Sequence, residues 1–450
     1  MAMLESLTFK DLSGRSRMIR FVAQEMDESP RKFQTTIITG RNGSHKSTLL
    51  RELVAALTVP GKESSIQFLD RSDAPVHVVC TSGSVADRFP SKELPGGGNS
   101  EFDVPNYAYL GQRVGSNLLS KKRPLETFLT FALDEAKVNR FSWDFFDSAH
   151  KFAGIKPHVE YEFLPRRGSS KSKNLRLDIL GTIQAVAKGK DFSRERPWPY
   201  VSKAIADWLL GEFHYDDFND LERLITSKGK KIRLLLGGNG AICETASTAS
   251  VRLGILTDLL SLSDAKVRSR LNSSEFSIFD LSSGEYHMYT SILGLGFGMG
   301  NSSVVLIDEP ENSLHPHWQQ EFMDSVFGIS SQALEHGHIL VCTHSPLIVS
   351  AALNGSTIVD LTDEVPSIEV ASFGASSDEV LLSQFGVGSS RNRVVVDTVQ
   401  RAVSIVESGG FNNPELEAMT PELTAIRLAL RSGDPLVDVI NALLGEEDLR

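Results

Sequence analysis

Cysteine is scarce in this chain, with only Cys80, Cys243 and Cys342 among 450 residues, so no disulfide framework is expected. Two of the three lie in apolar, strand-like runs and read as small buried hydrophobes of a reducing compartment. The start, Met1-Ala2-Met3-Leu4-Glu5, lacks a basic segment followed by an apolar one, so no secretion is expected and the chain is assigned to the cytoplasm. Long apolar runs are missing too. The longest uncharged stretch, Ser291 to Ile307, is interrupted by glycines and by Asn301-Ser302-Ser303 and runs into Asp308-Glu309. It reads as a buried helix, a turn and a buried strand, and no membrane span is expected. Nor is there an excess of positive charge: 46 basic residues face 57 acidic ones, a net charge of -11, which argues against a surface coated in nucleic acid. Heptads sustained over several repeats are also absent, so a long coiled-coil arm is not expected, and no internal repeat is detected.

What is present is a 41% hydrophobic composition at a length that suits one large α/β domain with insertions, or two to three smaller ones. Ser6 to Phe9, Arg17 to Val22, Val76 to Cys80 and Tyr107 to Leu110 have strand composition, and Glu93 to Ser100 reads as a glycine-rich loop. Phe33 to Thr39 is a β-branched run that stops at a glycine. After the loop, Leu49, Leu50, Leu53, Val54 and Leu57 fall on one helical face. Between strand and helix stands Gly40-Arg41-Asn42-Gly43-Ser44-His45-Lys46-Ser47-Thr48, a P-loop with histidine where a glycine is usual before the lysine. Its amides can ring a β-phosphate, Lys46 reaches the β- and γ-phosphates, and Ser47 is placed to hold Mg²⁺. A histidine forced to positive φ there costs about 1 kcal/mol, which a packed loop can carry.

Val304 to Ile307 followed by Asp308-Glu309 puts two acids at the carboxyl end of a buried strand, where nucleotide sites in open α/β sheets lie. Asp308 would hold the metal, and Glu309 would orient and polarise the attacking water. His344 follows the apolar run Ile339 to Thr343 and can donate a hydrogen bond to the γ-phosphate. Gln112, after a short strand, is assigned as a ligand of metal and water by its order in the chain. Leu281-Ser282-Ser283-Gly284-Glu285 precedes an apolar helix, Tyr286 to Leu295, and makes an anion-binding helix start, although Ser-x-x-Glu also serves as a capping box. One P-loop and one such segment per chain cannot close on the same ATP, so two protomers facing head to tail would share two sites.

The expected domains are 1-112, an N-terminal ATPase lobe with the P-loop; 113-274, an inserted helical subdomain; 275-375, a C-terminal lobe with signature, acid pair and switch histidine; and 376-450, a helical C-terminal region. Helices are expected over Leu125 to Val138, Phe141 to Phe152, Leu177 to Ala187, Tyr200 to Phe213 and Phe218 to Ile225, and then at Trp318 to Phe327 and Leu347 to Leu353. Strands are expected at His338 to Cys342 and Thr357 to Leu361.

In order and composition these motifs resemble those of ABC-class ATPases, in the branch of stand-alone RecF-, SMC- and OLD-like enzymes. Glu311-Asn312-Ser313-Leu314-His315-Pro316 resembles that branch's D-loop and Thr343-His344-Ser345-Pro346 its switch loop, while Ser283 and Glu285 depart from the Leu-Ser-Gly-Gly-Gln signature. The resemblance implies an α/β fold: an ABC-type P-loop ATPase head with a mixed central sheet, an inserted helical subdomain and a small helical C-terminal region. It also implies ATP and Mg²⁺ as cofactors, and a homodimer or higher homo-oligomer. Within the branch the chain is similar to the PtuA-type ATPase subunits of Septu and related retron anti-phage systems, which implies a partner HNH nuclease of the PtuB type. No Glu followed by an Asp-x-Asp strand end is seen between Asp378 and Arg450, so the chain itself is not expected to be a nuclease. A DNA repair ATPase is the alternative, with DNA or RNA lying on Lys121 to Arg123, Arg166 to Lys173 and Lys228 to Lys231. A transporter subunit fits badly, because its signature would follow the P-loop much sooner.

Overall fold

The computed structural model describes residues 2–11, 13–23, 32–62, 65–71, 76–91, 101–115, 118–138, 142–166, 178–190, 199–226, 231–371, 393–409, 413–429 and 435–444. The chain divides into two compact units, Met1–Gly374 and Ala375–Arg450.

The first unit is built on a seven-stranded sheet. Its strands are β3 (Phe33–Thr39), β5 (His77–Ser82), β6 (Tyr107–Tyr109), β12 (Ser302–Asp308), β13 (His336–Cys342), β14 (Thr357–Asp360) and β15 (Ser367–Val370). They are ordered β15-β14-β3-β13-β12-β5-β6. Every neighbouring pair is parallel except β14 with the edge strand β15. Strands buried on both faces need continuous apolar runs, and Val304, Val305, Leu306, Ile307, Ile339, Leu340 and Val341 are all buried. Cys80 and Cys342 are free and buried on β5 and β13, the two strands that flank β12.

A second sheet, ordered β2-β1-β4, pairs β1 (Ala2–Lys10) antiparallel with β2 (Ser16–Arg20) and β4 (Ile66–Arg71). It closes one side of the core through Leu4, Leu7, Ile19 and Ile66. His338 on β13 ties it to the main sheet. The Leu4 amide donates to His338 Nδ1 at 3.1 Å, and His338 Nε2 lies 2.8 Å from the Thr36 hydroxyl, which itself donates to the Phe21 carbonyl at 2.7 Å. That pattern fixes a neutral imidazole with its proton on Nε2, and burial lowers its pKa to about 3.

The region 113-274 is not purely helical, which corrects the expectation drawn from sequence. It carries α2 (Lys122–Ala132), α3 (Glu135–Val138), α4 (Asp144–Phe152), α5 (Ile179–Ala187), α6 (Lys203–Glu212), α7 (Tyr215–Thr226) and α8 (Thr248–Leu256). Among them runs an antiparallel five-stranded sheet ordered β11-β10-β7-β8-β9. Its strands are β7 (His158–Pro165), β8 (Ile232–Gly237), β9 (Gly240–Cys243), β10 (Leu260–Arg268) and β11 (Glu275–Ser277). Because β11 pairs with β10, the insertion's sheet reaches past residue 274. Val159, Tyr161 and Phe163 alternate inward on β7, so one face is buried while Glu160 and Glu162 occupy the other.

The insertion packs on α9 (Ser283–Gly298), which begins at the signature segment. Phe297 of α9 stacks on Phe128 at 6.2 Å between ring centroids and meets Trp143 and Phe145 edge-on at 5.0 and 4.9 Å. Each aromatic ring buried in this cluster contributes about 1.5–3 kcal/mol. Around the main sheet lie α1 (Lys46–Thr58), α10 (Pro316–Ala333) and α11 (Pro346–Ser350).

The second unit contains helices Arg393–Gly409, Pro414–Ala429 and Pro435–Leu444 around Val399, Ala402, Leu423 and Ile440. The glycine-rich reading at residues 93–100 and much of the basic stretches, residues 167–173 and 228–230, lie outside the described residues. Three of the described basic residues of those stretches meet acids. Arg123 meets Asp258 at 3.3 Å, Arg166 meets Glu126 at 3.9 Å and Lys231 meets Glu162 at 2.5 Å.

Candidate functional site

Three neighbouring parallel strands deliver the candidate residues to one edge of the sheet. β3 ends at the P-loop, β13 beside it ends at Thr343-His344, and β12 beyond that ends at Asp308-Glu309. The carboxyl edge of a parallel sheet is where such folds bind ligands.

The P-loop's shape follows from its glycines and its histidine. Gly40 has φ +138 and Gly43 φ +86, and a side chain on Gly40 would meet Ser44 Oγ at 2.7 Å. His45, the N-cap of α1, is left-handed at φ 71 and ψ 19, so the position does require the conformation that glycine usually supplies. Arg41, Asn42 and Gly43 are exposed, whereas Lys46 and Thr48 are buried. Lys46 Nζ donates to the carbonyl of Gly40 at 2.9 Å and to that of Arg41 at 3.3 Å. Burial lowers the pKa of Lys46, while the nearby Cys342, Glu309, Asp308 and Glu311 oppose that shift. The Oγ atoms of Thr39 and Ser44 are buried without a hydrogen-bond partner.

Asp308 is 1% exposed, and burial drives its pKa up to about 7 against a hydrogen bond from Ser47 and the pull of Lys46. Its Oδ1 has no partner. A buried carboxylate oxygen left unpaired costs about 1–3 kcal/mol. Divalent cations such as Mg²⁺ take hard oxygen donors of this kind, so the Ser47 hydroxyl and Asp308 fit the implied cation. Gln112 lies just past β6, at the same carboxyl edge but two strands from β12, and is half-buried.

Glu309 turns the chain with φ 48, its amide donating to the Cys342 carbonyl at 2.8 Å. Its Oε2 accepts from Asn312 Nδ2 at 2.8 Å, and its Oε1 lies 3.9 Å from His344 Nε2. Burial lowers the His344 pKa, with Lys46 adding to that effect and Glu309 opposing it. A neutral imidazole beside a carboxylate suits donation of a hydrogen bond to an anionic ligand.

The signature segment makes the helix cap that Ser-x-x-Glu also allows. Ser282 and Glu285 form a capping box on α9: the Glu285 amide donates to Ser282 Oγ at 3.3 Å, while the Ser282 amide and hydroxyl donate to Glu285 Oε2 at 2.9 and 2.7 Å. Both serines are exposed, and the Ser282 hydroxyl is engaged within the helix cap. Gly284 is buried, and a side chain there would meet the Ser313 carbonyl at 2.5 Å.

Gly83 gave no signal in the sequence. Its amide donates to the Asp308 carbonyl at 3.0 Å, and a Cβ would meet the Glu309 carbonyl at 2.3 Å, so only glycine lets this turn lie under the acid pair. Asp87 joins the next loop to the edge of the sheet by accepting from Tyr109 Oη at 2.6 Å and Arg113 at 3.1 Å. A separate cavity of about 490 Å³ lies beside β6, α2, α6 and α8, and none of the site residues lines it. Its Arg252 is closed by Asp134 and Glu212 at 2.8 and 2.7 Å, so that charge is not offered to a phosphate.

Residues 35–350 match the family described as "AAA domain, putative AbiEii toxin, Type IV TA system". No curated protein matches the chain. Among solved structures, the Smc head domain with an extended coiled coil bound to the C-terminal domain of ScpA, from Pyrococcus furiosus, is 14% identical, with 83% of this chain and 97% of that one covered and a TM-score of 0.34. An SmcHead bound to the C-winged helix domain of ScpA is 15% identical over 83% of this chain and 98% of that one, with a TM-score of 0.31. The SMC head domain from Thermotoga maritima is 11% identical over 82% and 99%, with a TM-score of 0.27. No described helix is long and apolar enough to cross a membrane.

Proposed function

The chain belongs to the AAA-domain family that spans its residues 35–350, and we propose that it is an ATP-hydrolysing switch of the ABC class that closes head to tail on a second copy. The observation that carries this reading is the convergence of Lys46, Asp308-Glu309 and His344 at the carboxyl ends of three adjacent strands.

In this reading the amides of Gly40 to Thr48 and the positive end of α1 receive the phosphates, and the Lys46 ammonium reaches the β- and γ-phosphates. Ser47 and Asp308, with Gln112 at the edge, would hold Mg²⁺, which would neutralise phosphate charge when bound. Glu309, held by Asn312, orients the attacking water and draws its proton. His344 donates to the γ-phosphate. The exposed Ser283 and the backbone N–H groups at the start of α9, in the segment Ser282 to Glu285 of a second copy, seal the site. The aromatic packing of α9 against the insertion gives closure a physical route outward.

We propose further that the ATPase works in the cytoplasm as the subunit of an anti-phage system that controls an HNH-type nuclease, on the strength of its likeness to PtuA-type subunits. Arg123, Arg166 and Lys231 are ion-paired, which gives no support to direct nucleic-acid binding through those three residues.

Sedimentation of Glu309→Gln with ATP and Mg²⁺ tests the switch. A dimer that forms with ATP and is lost in Lys46→Ala supports it, and a monomer at saturating ATP contradicts it. Co-purification with the product of an adjacent nuclease gene tests the partner.

A further inference from the structure

We infer that Glu311 is a positioning residue for hydrolysis, holding the His344 loop against Glu309; this rests on the roles proposed above for those two residues. Glu311 accepts the His344 amide on Oε1 at 2.6 Å. One residue on, Asn312 donates to Glu309 at 2.8 Å. A single short turn thus fixes both groups, which stand 3.9 Å apart.

The bond does more than join strands. β12 and β13 are already zipped by a parallel ladder through Asp308 and Cys342, so a half-buried carboxylate is not needed to hold them together. The carboxylate also carries a cost, because its Oε2 is buried without a partner. What it adds to the ladder is a charge-assisted grip on the His344 amide, two residues past Cys342, the amide of the residue whose ring must face Glu309. Catalytic groups displaced by about 1 Å lose about a hundredfold in rate.

The test is steady-state ATP hydrolysis with Mg²⁺ by the purified full chain, with Glu309→Gln assayed in parallel. Glu311→Ala should lower kcat by about ten- to a hundredfold with KM within about twofold of wild type. Glu311→Gln, which keeps an acceptor oxygen, should restore most of kcat. In a His344→Ala background Glu311→Ala should cost less than about twofold more, since it acts through His344. Unchanged kcat in Glu311→Ala, a rise in KM alone, no rescue by glutamine, or a full further loss in the double variant would each overturn the assignment. Should Glu311→Ala not fold, Glu311→Asp decides: its shorter carboxylate must lower kcat at unchanged KM, and wild-type turnover overturns the inference. If Glu309→Gln itself turns over ATP normally, the failure lies in the proposed function. If it is inactive while Glu311→Ala is normal, only the positioning role falls.

Discussion

Ser47 counters the burial-driven rise of the Asp308 pKa, so the first turn of α1 and the end of β12 meet at one buried acid whose Oδ1 has no hydrogen-bond partner. If that pair holds the cation, removing either oxygen should act through Mg²⁺ and not through the fold. Ser47→Ala and Asp308→Asn are expected to lower hydrolysis by about a hundredfold or more and to raise the Mg²⁺ concentration needed for half-maximal rate. Metal titrations of the ATPase rate check this.

His45 pays for its left-handed backbone in a way glycine would not. His45→Gly is expected to keep ATP binding and to cost little or no stability, the relief of about 1 kcal/mol of strain being offset by the greater freedom of glycine in the unfolded chain. Nucleotide titration and urea unfolding measure the two effects. Complete loss of binding would show that the imidazole itself contacts the nucleotide.

Gly83 and Gly284, unlike His45, stand where only glycine fits. A methyl group at either would press on a carbonyl oxygen, at 2.3 Å for Glu309 and 2.5 Å for Ser313. Backbone oxygens cannot swing aside as side chains do, so Gly83→Ala should displace Glu309, lowering kcat at least tenfold and destabilising the fold by about 1–3 kcal/mol. Paired ATPase and thermal-melt measurements check it; wild-type values in both would contradict the packing.

Acid should weaken the fold through three buried histidines. Burial lowers the pKa of His150 and His287 to about 4 and that of His338 to about 3. Between those values and the unfolded value of about 6.5 the unfolded chain binds more protons, so stability is fully present above about pH 6.5 and declines as pH falls below it. Asp308, raised to about 7, and Asp87, Glu126 and Glu311, also raised by burial, act with the opposite sign, holding protons that the unfolded chain releases. Denaturant midpoints at pH 7.5, 6 and 5 for wild type and His338→Gln isolate the histidine contribution: the variant should lose less stability on acidification than wild type, and equal losses would contradict it.

Much of the head was readable because its signals are local. A β-branched run, a glycine and a helical leucine stripe mark β3, the P-loop and α1 without any knowledge of distant contacts. The acid pair and His344 were legible because a buried parallel strand must end where its charges begin. The insertion's sheet was missed although Val159, Tyr161 and Phe163 alternate, since each strand is short and sits among helical segments whose periodicity dominates. Gly83, Glu311 and Asn312 owe their importance to partners on other strands or to the path of a turn, and sequence spacing carries no such distances. At Ser282 and Glu285 the local reading of a helix cap and the reading of a ligand-facing segment coexist in one sequence, and only the geometry shows the cap being made.

The most direct test is ATP turnover by Glu309→Gln at saturating nucleotide and Mg²⁺, with ATP binding measured on the same protein. Binding close to wild type with hydrolysis reduced by at least about a hundredfold is predicted, because the variant keeps the phosphate loop and loses only the group that draws the proton from water. Hydrolysis at the wild-type rate would contradict the account.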